Sequence, residues 1–117
     1  MSDTKRRREL RTTYERRVPE AGVYALRNTL SGRLMIGSSA DLRSVRNRFE
    51  FAQATGSVSA LDGRLASEAR SVGVSAFALE ILDRLSVEPG SSADQLAAEL
   101  AELEALWRAK LADQPQY

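Results

Sequence analysis

With 117 residues, 43% of them apolar and 28% charged, the chain suits one soluble domain with room for a modest core and little else. It has no cysteine and no histidine, so disulfides, thiolate metal sites and imidazole bases are excluded, and any acid–base or metal chemistry rests on Tyr, Asp, Glu, Lys or water. The formal net charge of +1 conceals an asymmetry: residues 1–17 carry seven basic and three acidic side chains, whereas residues 94–104 carry four acids and no base.

In chain order, Thr4 to Arg17 reads as a basic helix with Leu10 and Tyr14 as its apolar contacts, ended by Pro19. Its block Lys5-Arg6-Arg7-Arg8 suits either phosphate backbones or a solvated face. Val23 to Leu26 alternates as a first strand, Asn28 to Gly32 holds turn residues, and Leu34 to Ile36 returns as its antiparallel partner. Gly37 reads as the turn that leaves this strand, with close approach of a substrate as the alternative. Asp41, or Ser39 before it, caps a helix running to about Thr55, with Leu42, Val45, Phe49 and Ala52 as its apolar stripe.

Gly56 closes that helix, and a further one is expected near Ser59–Ser71, stopped by Gly73. Phe77 to Leu82 alternates as a third strand. Pro89-Gly90-Ser91-Ser92 is a turn into the clearest helix, Ala93 to about Leu111, with the stripe Leu96, Leu100, Leu103, Trp107, Leu111. The expected class is α/β: a three-stranded, mainly antiparallel sheet flanked by helices, with the basic helix (residues 1–18) preceding a domain at 19–117. No apolar run approaches the roughly 18 residues that span a bilayer, and no apolar signal core follows the charged start, so a cytoplasmic protein without a membrane partner is expected.

Gly22-Val23-Tyr24, then ten residues, then Met35-Ile36-Gly37-Ser38-Ser39 with Asp41-Leu42, resembles the motif of the GIY-YIG nuclease family. Glu104, three residues before Trp107 on the last helix, matches the family's metal-binding glutamate, and the whole resembles a small stand-alone bacterial branch of that family. The resemblance implies hydrolysis of a nucleic-acid phosphodiester with one Mg²⁺ or Mn²⁺. A tyrosine helps to activate water, an arginine stabilises charge on the phosphorane, and the glutamate holds the metal. Carried over by position, the tyrosine is Tyr24 and the metal ligand Glu104.

Other positions depart from the pattern. Met35 replaces the second tyrosine, Val45 stands at the arginine, Phe49 at a common histidine, and Ala112 near a common asparagine. Arg46 and Arg48 are the candidate substitutes for the arginine, while Arg6, Arg7, Arg8, Arg43 and Ser38 are candidate nucleic-acid contacts. Glu104 also stands four residues before Arg108, the spacing of a surface helix pair, and Ser38 and Ser39 equally suit helix capping. Three functions follow as expectations: a metal-dependent DNA endonuclease with a degenerate site, an inactive DNA- or RNA-binding module, and a protein–protein adaptor on the same scaffold. DNA is the expected partner, with RNA and self-association left open.

Overall fold

Apolar residues on both faces of one short strand organise the molecule. A computed structural model describes residues 20–86, 90 and 92–117; the expected basic helix, with Arg6, Arg7 and Arg8, lies outside the described residues. Strand β1 (Ala21–Asn28) pairs antiparallel with β2 (Leu34–Ser39) on one side and β3 (Phe77–Leu85) on the other, giving the order β2-β1-β3. Because β1 is central, Val23 and Ala25 are buried on one face and Leu26 on the other.

The β1–β2 turn is set by Asn28, whose backbone N–H donates to the Arg33 carbonyl (2.8 Å). Its side-chain Oδ1 accepts from the Leu30 N–H (2.9 Å), and Gly32 takes the positive φ of 78° that the turn requires.

Helix α1 (Leu42–Thr55) starts at Asp41, whose carboxylate accepts from the Arg43 and Ser44 N–H groups; Gly56 ends it at φ 69°. Ser39 braces that cap rather than forming it, through hydrogen bonds of 3.0 Å with the Asp41 N–H and carbonyl. The single helix expected over 59–71 is in fact a 3₁₀ turn at Val58–Ala60 followed by helix α2 (Gly63–Val72). The break falls where Leu61 turns extended (ψ 165°) and drops into the core, after which Asp62 caps the new helix by accepting from the Arg64 N–H.

α1 and α2 cover one face of the sheet, where Leu26 and Met35 meet Ala52, Leu61, Leu65, Ala69, Val74 and Phe77. The other face is covered by α3 (Ala93–Lys110), begun by a Ser92–Gln95 capping box. Leu103, Trp107 and Leu111, the second half of the expected stripe, pack on Val23, Ala25, Leu34 and Ile36.

β3 runs longer than the expected Phe77–Leu82, and its pairing with β1 shifts between Val23 and Tyr24. The shift leaves Leu82 as an extra residue, so that both Leu82 and Asp83 serve the α3 face. There Asp83 accepts from the Trp107 indole N–H (3.1 Å), which fixes α3 against the sheet. Past α3 the chain returns to the free edge of β2. The Leu34 N–H donates to the Pro115 carbonyl and the Tyr117 N–H to the Leu34 carbonyl, both at 2.9 Å. Among the described residues no helix is long and apolar enough to cross a membrane.

Candidate active site

Tyr24 lies on the α1/α2 face of β1 directly opposite Gly37 of β2. An alanine methyl at Gly37 would sit 2.7 Å from the Tyr24 hydroxyl and 2.8 Å from its ring carbon Cζ. The phenol therefore lies across the glycine, and Gly37 is a mid-strand platform for this ring rather than the turn residue expected. Gly22 is needed for a different reason: a Cβ there would collide with the Asp83 carbonyl of the neighbouring strand and meet Leu42 at 2.9 Å. Both motif glycines are thus explained by close packing within the domain.

Successive residues of a strand point to opposite faces, so Ser38 looks towards α3 while Gly37 carries Tyr24. The Ser38 hydroxyl donates to Glu104 Oε1 (3.0 Å), and Arg108 Nη2 pairs with Glu104 Oε2 (2.8 Å) while also donating to the Ile36 carbonyl (3.3 Å). Tyr24 and Glu104 consequently meet neighbouring residues of β2 from its two faces. The i,i+4 pair with Arg108 and the placement of Glu104 beside the motif are both present.

On the Tyr24 side, Arg48 of α1 and Asp62 border a small cleft of ≈ 70 Å³ with Tyr24, Val45, Phe49 and Leu61. Burial raises the Tyr24 pKa from its ordinary 10.0; the negative charges of Asp62 and Glu104 push the same way, against the opposing pull of Arg64 and Arg48. The phenol is therefore neutral at physiological pH, able to donate one hydrogen bond and accept others. Asp62 holds Arg64 in a fork, with Nε–Oδ1 at 3.1 Å and Nη2–Oδ2 at 3.4 Å, and this contact lowers the carboxyl pKa.

The expected residues distribute as follows. Tyr24 and Arg48 share the cleft, and Ser38 and Glu104 are joined by a hydrogen bond across β2 and α3. Arg43 and Arg46 are exposed on α1 and are not among the cleft-lining residues. Met35 is 1% exposed beneath α1 and α2, where it packs in the core and offers no hydroxyl to the cleft. Val45 faces the cleft itself, which makes that wall apolar where the family pattern has a guanidinium.

Sequence reasoning missed Asp62 and Arg64. The signal was an Asp-Gly-Arg helix start, concealed when one helix was drawn through it.

As a metal site the donor set is lean. Among the described residues no three acidic side chains cluster. Glu104 with the adjacent Ser38 hydroxyl suits a Mg²⁺ that keeps most of its ligands as water and phosphate oxygens, on condition that Arg108 gives up Oε2.

This α/β arrangement, an antiparallel three-stranded sheet flanked by helices, matches the fold of GIY-YIG catalytic domains. The chain is similar to the solved catalytic domain of the homing endonuclease I-TevI, with TM-score 0.55 and 21% identity, over 79% of this chain and 88% of that one. A glutamate-to-alanine mutant of the catalytic domain of intron endonuclease I-TevI aligns with TM-score 0.55 and 18% identity, over 80% and 84% of the two chains. No family model and no curated protein matches the sequence.

Proposed function

We propose that the chain is a phosphodiesterase domain acting on nucleic acid, with DNA as the first substrate to test. One observation carries this reading: Tyr24, which shares its cleft with Arg48, lies across Gly37, while Glu104 is hydrogen-bonded to the adjacent Ser38 of the same strand. Arg48 brings a guanidinium group to a phosphate in the cleft, and Asp62 at its wall holds a second, Arg64, beside it. The neutral Tyr24 phenol bonds a non-bridging oxygen or an attacking water, with its ring held flat across Gly37. Glu104, steadied by Ser38, is the residue that would hold Mg²⁺ or Mn²⁺. Such an ion, when bound, supplies Lewis-acid polarisation of the phosphate.

A specific observation favours a second reading, binding without cleavage. Glu104 is already paired with Arg108, Arg64 with Asp62, and Val45 leaves one cleft wall apolar. In that reading Arg43, Arg46 and the basic segment of Arg6, Arg7 and Arg8 supply the phosphate contacts. The adaptor reading gains little, because the exposed large apolar residues Leu30, Phe51, Val72 and Leu106 stand on four separate elements.

Supercoiled and linear DNA incubated with Mg²⁺ or Mn²⁺ and with wild type, Glu104→Ala or Tyr24→Phe decides between the two. Nicking by wild type that Glu104→Ala abolishes supports hydrolysis. Salt-sensitive binding without nicking supports the second reading, and neither binding nor nicking refutes both.

A further inference from the structure

Asp62 borders the Tyr24 cleft, and the Arg64 it holds lines an open groove of ≈ 490 Å³ shared with Arg33, Ser67, Glu68, Ser71 and Tyr117. Three pieces of the chain build it. The exposed face of α2 presents Arg64, Ser67 and Ser71 along about 10 Å of helix. The end of the β1–β2 turn brings Arg33, and the last residues bring Tyr117.

Tyr117 is fixed in place. Its N–H pairs with the Leu34 carbonyl (2.9 Å), and its hydroxyl accepts from Asn28 Nδ2 (3.4 Å). The Arg33 guanidinium lies over the ring, 4.4 Å from its centroid, which makes a flat cation–aromatic platform. Glu68 sits between, accepting from Asn28 Nδ2 (2.6 Å) with its second oxygen 3.8 Å from Arg33, so the groove carries two guanidinium groups against one carboxylate.

The two regions are connected along the free edge of β2. Ser38, beside the Tyr24 platform, and Leu34, where Tyr117 is anchored, are four residues apart, about 13 Å in a strand. That spans roughly four 3.4 Å steps of a nucleic-acid strand.

We propose that this groove is a subsite for the strand flanking the phosphate at Tyr24, with an unpaired base stacked on the Arg33–Tyr117 platform and the backbone running past Arg64, Ser67 and Ser71. The inference rests on the nucleic-acid reading above and adds to it a preference for substrate with single-stranded character. Aromatic and guanidinium faces receive bases that have left the duplex stack. Hydroxyls and guanidinium groups along one helix face suit the backbone beside it.

The test is fluorescence anisotropy with labelled DNA, either single-stranded or duplex with a single-stranded overhang, on the full chain. Tyr117→Ala is expected to weaken single-strand binding about fivefold to a hundredfold. Tyr117→Phe keeps the ring and is expected to bind as wild type. Ser67→Asp with Ser71→Asp alters only exposed positions, keeps the fold, and is expected to weaken binding about tenfold by repelling the backbone. Arg48→Ala serves as the control for the cleft.

If the paired serine variant and Tyr117→Ala bind as wild type while Arg48→Ala weakens binding, the groove proposal is overturned and the cleft reading stands. If the paired serine variant alone binds as wild type while Tyr117→Ala has lost stability, Tyr117 is structural and the proposal is likewise overturned. Absence of binding by wild type overturns both.

Discussion

Replacing Gly37 with alanine places a methyl carbon 2.7 Å from the Tyr24 hydroxyl and 3.3 Å from its ring carbon Cε1. An ordinary contact needs about 3.5 Å, so the ring must yield by roughly 0.8 Å. Overpacking a core typically costs about 1–3 kcal/mol. Here the obstructing atoms are the end of a rotatable side chain, so the lower end applies, about 1 kcal/mol, or about 4 °C in Tm for a domain of this size.

Gly22→Ala is the contrasting case. Its Cβ meets the Asp83 carbonyl and comes within 3.1 Å of Arg84 Cα, and backbone of a paired strand cannot swing aside. That variant should cost about 3 kcal/mol or more. Thermal melts of both variants are the assay, together with Gly37→Ala placed on a Tyr24→Ala background. If the clash with the ring is the cause, the second alanine costs less than about 0.5 kcal/mol once the ring is gone. An undiminished cost on that background would refute the reasoning and move the glycine requirement to the strand backbone. The same displacement of Tyr24 predicts that Gly37→Ala lowers any cleavage activity as far as Tyr24→Phe does.

Three further outcomes follow from the site's charges. Tyr24 should ionise above the ordinary tyrosine value, read as tyrosinate absorbance against Tyr24→Phe, and Asp62→Asn should lower its pKa by removing a nearby negative charge. Because the folded state holds this proton longer than the unfolded chain, its contribution to stability is intact below about pH 10 and is lost as pH rises through the folded value. Asp62→Ala removes the α2 cap and releases Arg64, costing about 1 kcal/mol in a denaturant melt; an unchanged midpoint would contradict the capping role. Arg108→Gln frees Glu104 Oε2 and should tighten Mn²⁺ binding measured by calorimetry, with stability altered by no more than about 0.5 kcal/mol; unaltered Mn²⁺ affinity would show that the ion does not compete with Arg108.

Much of the fold was legible because local patterns and tertiary packing agree. The hairpin follows from Asn28 and Gly32 between two apolar runs, α1 from Asp41 ahead of a 3.6-residue stripe, and α3 from Ser92 ahead of Leu100, Leu103 and Trp107. Legibility failed where a local signal competed with burial. Leu61 gains more by leaving the helix for the core than by extending it, so the predicted helix over 59–71 breaks there and Asp62 starts another.

The site divides along the same line. Tyr24 and Glu104 were candidates through the resemblance of their motifs to the nuclease family, and each lies on the element expected to carry it. What accompanies Tyr24 in the cleft could not be read the same way, because Arg48 and Asp62 arrive there through the packing of α1 and α2 against the sheet. The sequence by itself determined the class of fold and the exclusion of thiolate and imidazole chemistry. Those depend on residue type and on periodicity within single elements. Only the tertiary structure decided that Gly37 is a platform for a phenol, that Arg108 already occupies Glu104, and that Asp62 at the cleft holds Arg64 in a second groove. Each of these is set by how the sheet's two faces and its free edge are covered.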